Sequence, residues 1–187
     1  MEPTDQIERS TNPPASGNGE TREKRVVSPS DVLAMMPRGL RYRFLDRIVE
    51  VDENHVVAQY RFREDEFFYP GHFPEQPVTP GTILLEAMCQ CGMAAQAYYL
   101  LALESSIEQA SAYRIFFTEA KVGWFGPVAA GTQITMHSEL VAWRRGRVRA
   151  RVRVFNEQEQ LVAESEVAGQ SVLLGAAAPA TTGSERA

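Results

Sequence analysis

The chain has 187 residues, 44% of them hydrophobic and 23% charged, with a formal net charge of −5. That is about one domain's worth of chain, with enough apolar content for a core. The acidic balance gives no support to nucleic-acid binding, and the two cysteines are too few for a disulfide scaffold.

Residues 1–27 are rich in Glu, Thr, Pro, Ser, Asn and Gly and show no apolar period. They read as a disordered tail rather than a signal peptide, because no apolar h-region is present. Ser30-Asp31 before Val32–Met36 predicts a short helix that Pro37 stops. Phe44–Val51 and His55–Phe62 read as two strands joined across Asp52-Glu53-Asn54. A Pro- and Gly-dense loop follows, from Tyr69 to Gly81, carrying His72. Thr79 suits a helix N-cap, Pro80 the first helical position, and Gly81 a free amide at the helix start.

Thr82–Leu103 is apolar on nearly every side, which marks a buried helix. Thr82, Glu86 and Gln90 recur at i, i+4 and form one polar stripe on it. A carboxylate in such a helix is either paired or working, and by itself Glu86 leaves both readings open. His72 alone reads equally as a loop histidine bonded to a carbonyl. With the Gly81 amide, the two make one base, one acid and one bare helix N-terminus within a short span. Gln90 can donate to the Glu86 carboxyl and hold its rotamer.

Glu86, Gln90 and Gln96 interrupt the helix and argue against a membrane span. Cys89 and Cys91 point to different sides of the helix and cannot bridge, which suits buried thiols in a reducing compartment. No residue spacing suggests a metal site, and His55 and His137 are isolated. Ser105–Gln109 reads as a polar linker. Four strand-like runs complete the domain: Tyr113–Val122, Thr132–Trp143, Arg147–Phe155 and Leu161–Leu174, with turns at Arg145-Gly146 and Asn156-Glu157. The layout is α+β, one buried helix and an antiparallel sheet with meander connections, over residues 28–174. Residues 175–187 read as a second disordered tail.

From Arg147 to Val154 arginine alternates with apolar residues, so one strand face is basic. Arg144 and Arg145 extend it. The face either keeps a sheet surface soluble or docks an acidic partner. Phe67, Phe68, Phe73, Met88 and Met93 are candidates for an apolar tunnel, or plain core.

Gly71-His72-Phe73-Pro74, then Pro77-Val78-Thr79-Pro80-Gly81, then Glu86-Ala87-Met88 resemble the signature of the FabZ-type 3-hydroxyacyl-acyl-carrier-protein dehydratases. Phe44–Ile48 and Lys121–Thr132 resemble flanking parts of that family. The resemblance implies a hotdog fold, in which the sheet wraps the long helix, and dehydration of a 3-hydroxyacyl thioester without a cofactor. It implies His72 as base, Glu86 as acid, and the Gly81 N–H as the group that holds the thioester carbonyl. Burial is expected to raise the Glu86 pKa. The partners implied are an acyl carrier protein and a second copy of the chain, in the cytoplasm. Glutamate at 86 suggests dehydration without isomerisation, since the isomerising branch carries aspartate there. Glu75 stands where the family usually has glycine, and Pro37-Arg38-Gly39 where it usually has a His-Arg pair near the start. A hotdog thioesterase and a non-catalytic partner subunit are the competing readings.

Overall fold

A computed structural model describes residues 26–174 except Arg38; both expected tails lie almost wholly outside the described residues. The first helix, α1 (Pro29–Met35), begins earlier than its sequence suggests. Ser28, not Ser30, is the N-cap: its hydroxyl accepts from the Asp31 N–H while the Asp31 carboxylate accepts from the Ser28 N–H. This reciprocal box satisfies two orphan donors and leaves Pro29 at the first helical position.

β1 (Arg47–Val51) and β2 (His55–Arg61) form an antiparallel hairpin. β1 is shorter than expected because Phe44 is not in a ladder. Its N–H donates to the buried Gln90 side chain instead.

The long helix is continuous but not uniform. α2 (Gly81–Met88) runs through a π-helical segment, Cys89–Ala95, into α3 (Gln96–Glu104). Every residue of the π segment is buried, as an all-apolar cylinder requires. The segment fits because of two glycines. A Cβ on Gly92 would sit 2.4 Å from the Val152 side chain, and one on Gly169 would sit 2.3 Å from Met93 Sδ. Helix and sheet approach more closely there than any side chain at either position allows. A short helix α4 (Ile107–Ser111), capped by the Ser106 hydroxyl, replaces the expected polar linker.

β3 (Tyr113–Trp124), β4 (Gln133–Arg144), β5 (Arg147–Phe155) and β6 (Leu161–Leu173) complete one six-stranded antiparallel sheet. Its order is β1-β2-β4-β5-β6-β3. The simple meander holds only for β4-β5-β6. The helix carries the chain across the sheet, so β3 pairs with β6 at the far edge and β2 lies beside β4. Arg145 and Gly146, both at positive φ, make the two-residue β4–β5 turn, whose handedness matches the twist of the strands. Along β5 the period of two is strict: Val148, Ala150, Val152 and Val154 are fully buried against the helix, and the arginines face out.

Candidate active site

The Tyr69–Gly81 loop is held from several sides. The Tyr69 hydroxyl and the Thr79 hydroxyl lie 2.8 Å apart, and the Thr79 N–H donates to the Val128 carbonyl at 2.7 Å. Val78 also bridges to Ala129 across the same edge. His72 follows a 3₁₀ turn, Tyr69–Gly71, and its Nδ1 lies 2.9 Å from the Val78 carbonyl oxygen. A carbonyl only accepts, so Nδ1 carries the proton and the neutral ring keeps its lone pair on Nε2. The next residue, Phe73, has φ 55°, is 62% exposed, and presents its ring to the imidazole at 4.4 Å between centroids. Positive φ at a bulky residue is strained, and the loop's own bonds are what hold it.

The helix start differs from expectation. Pro80, not Thr79, is the N-cap, and no side chain caps the helix. Thr79 cannot serve because Tyr69 engages its hydroxyl. The Pro80 carbonyl takes the Ile83 and Leu84 N–H groups, and Gly81 becomes the first helical residue, with no intrahelical acceptor for its own N–H.

Glu86 is half-buried rather than buried, so the apolar enclosure expected of it is incomplete in a single chain. Gln90 is fully buried, and its amide is fully engaged. Its Nε2 donates to Glu86 Oε1 and to the Tyr42 carbonyl, both at 2.9 Å, while its Oε1 accepts from the Phe44 N–H at 2.8 Å. The carboxylate is thus tied through Gln90 to the segment entering β1.

Glu86 opens into a cleft of about 340 Å³ with Met36, Pro37, Met93, Phe116 and Phe117 among its walls. His72 is not one of them. The expected tunnel residues lie elsewhere: Met88 is fully buried in the core, and Phe68 packs among Phe44, Phe62 and Tyr69. Phe73 borders a different cleft with Val78 and Pro127, and Phe67 a third, beside Arg41 and Arg43. Only Met93 of the expected set reaches Glu86. The sequence did carry a signal for the walls it uses, because the consecutive Phe116-Phe117 pair breaks period two, and both residues are about half exposed.

Both cysteines are buried. Burial pushes the Cys91 thiol up to about 12, which removes it as a nucleophile at neutral pH. Arg144, Arg145, Arg147 and Arg149 line one groove, and two of the four are engaged in ion pairs. Arg149 bonds Glu166 at 2.6 Å and Glu119 at 2.7 Å, and Arg147 reaches Glu119 at 3.5 Å.

A six-stranded antiparallel sheet against one long helix is the hotdog arrangement. Structural neighbours agree: the dehydratase heterocomplex ApeI:P from Xenorhabdus doucetiae aligns at TM-score 0.64 and 13% identity, covering 79% of this chain and 93% of that one. A thioesterase from Staphylococcus aureus aligns at TM-score 0.52 and 12% identity, covering 66% and 90%. At such identities the likeness concerns fold alone. The sequence is more specific. Residues 36–166 match the FabA-like domain, and the chain belongs to that family, in its FabZ-type dehydratase branch. The 3-hydroxyacyl-[acyl-carrier-protein] dehydratase FabZ of Bartonella bacilliformis is 30% identical over 155 residues, 82% of this chain and 96% of that protein. The FabZ of Acinetobacter baylyi is 33% identical over 108 residues, 57% of this chain and 70% of that one.

Proposed function

We propose that the protein removes water from a 3-hydroxyacyl thioester carried on an acyl carrier protein, giving the trans-2-enoyl thioester. The observation that carries this reading is the Nδ1–Val78 bond, which leaves His72 Nε2 as a base at the edge of a rigid loop. Nε2 takes the proton from the carbon next to the thioester carbonyl. Glu86, oriented by Gln90, protonates the departing hydroxyl. The Gly81 N–H, aided by the helix dipole, holds the carbonyl oxygen as enolate charge builds on it.

The Glu86 cleft and the His72 loop are separate within one chain, so a second copy completes the site by bringing its own His72 loop to Glu86. The long edge strand β3, with Phe116 and Phe117 each about half exposed, offers the surface for that pairing. The carrier protein, being acidic, docks at the arginine groove, where Arg144 and Arg145 supply the charge that Arg147 and Arg149 spend on ion pairs. Glu86 favours dehydration without isomerisation, and Glu75 and Pro37-Arg38-Gly39, where the chain departs from the usual family pattern, favour a specialised polyketide or polyene pathway over housekeeping synthesis. The test is mass spectrometry of a 3-hydroxyacyl carrier protein incubated with wild type, His72→Ala and Glu86→Gln. Loss of water by wild type and about 10²–10⁴-fold less in each variant is expected; release of free acid would make the protein a thioesterase.

A further inference from the structure

Trp124, the last residue of β3, packs its indole against the backbone of Gly81. A Cβ at position 81 would lie 3.0 Å from Trp124 Nε1, 3.1 Å from Cε2 and 3.3 Å from Cζ2. The ring atoms nearest the glycine are therefore the indole nitrogen, Cε2 and Cζ2. The Trp124 residue as a whole is 50% exposed. The two tryptophans differ in how they use their donors. Trp143 Nε1–H bonds Glu104 at 2.6 Å, whereas among the described residues Trp124 Nε1–H has no partner.

Two unspent N–H groups thus stand side by side. The Gly81 nitrogen lies two bonds of about 1.5 Å from the Cβ position, so it is within about 6 Å of Trp124 Nε1. One oxygen at about 2.9–3.0 Å from each donor spans such a gap. We infer that Trp124 is a catalytic residue: its indole N–H is the second donor to the thioester carbonyl oxygen, paired with the Gly81 amide. The inference rests on the dehydratase reading for what that oxygen is. A side chain at 81 would require the indole to give by a few tenths of an ångström. Charge on the oxygen is greatest in the enolate-like transition state, so the second donor acts on turnover more than on binding.

The test compares wild type, Trp124→Phe and Gly81→Ala. Phenylalanine keeps an aromatic face against residue 81 and lacks only the N–H. Gly81→Ala keeps the indole in the chain and pushes its edge off the backbone. Two readouts are taken: kcat and KM on a 3-hydroxyacyl carrier protein, and the infrared stretch of a ¹³C-labelled carbonyl in bound saturated acyl-pantetheine, which cannot react. Both variants should lose about 10-fold or more in kcat with KM within about threefold, since one oxyanion donor is typically worth about 10²–10³ and an exposed one less. Both should also raise the bound carbonyl frequency toward its solution value. Equal kcat and an unmoved carbonyl band in both variants would overturn the inference. If the wild type removes no water yet its carbonyl band shifts with Trp124, the dehydratase reading fails and the donor pair stands. If the wild type does not bind the acyl-pantetheine, both fall.

Discussion

Gln90→Met is the most informative single change away from the reacting groups. Methionine nearly matches glutamine in volume, so the fully buried site is neither emptied nor crowded. What disappears are three hydrogen bonds: from the Phe44 N–H, to the Tyr42 carbonyl and to Glu86. The Phe44 N–H is buried and loses its acceptor, at a cost of about 1–3 kcal/mol. The Tyr42 carbonyl is only partly buried and regains water, which limits its share to about 1 kcal/mol. Together the change should cost about 2–4 kcal/mol, or about 4–16 °C in Tm for a chain of this size. Circular dichroism during a thermal ramp measures it. Glu86 also loses the donor that fixes its rotamer, so kcat, measured well below the new Tm, should fall about 10-fold with a smaller change in KM. A Gln90→Met protein within about 0.5 kcal/mol of wild type, or one with lowered Tm but unchanged kcat, would refute the link from the β1 approach to the acid.

Gly92→Ala should destabilise by about 1–3 kcal/mol, read by chemical denaturation, because its Cβ would meet Val152 at 2.4 Å. Cys91 should resist thiol reagents at pH 8 in the folded protein and react on unfolding, given a thiol held near 12 by burial. The Ser28 hydroxyl, and then the Ser28 N–H, hold the Asp31 carboxyl below its ordinary value. Asp31 therefore stabilises fully above about pH 3.8, and the contribution is lost as pH falls through the lowered folded value. The stability gap between wild type and Asp31→Ala should stay constant from neutrality to about pH 5 and close on further acidification, in denaturant melts run across pH.

The antiparallel sheet, the single buried helix and the Glu86–Gln90 contact are written in local pattern. Period two in Arg147–Val154, an apolar cylinder with polar residues at i, i+4, and proline and glycine crowded around one histidine each follow from neighbours a few residues away. Covalent geometry fixes their relative positions, so the chain order suffices. Elsewhere the deciding partner lies far along the chain. Thr79 reads as a cap until Tyr69 takes its hydroxyl, and Phe44 reads as a strand residue until Gln90 takes its N–H. β3 reads as the next strand of a meander until the helix delivers it to the far edge beside β6. Met88 reads as a tunnel wall until packing seals it in the core. A buried donor or acceptor goes to whichever partner the packed chain brings near. Only the tertiary structure makes that choice, and it is also what sets the Trp124 indole on Gly81.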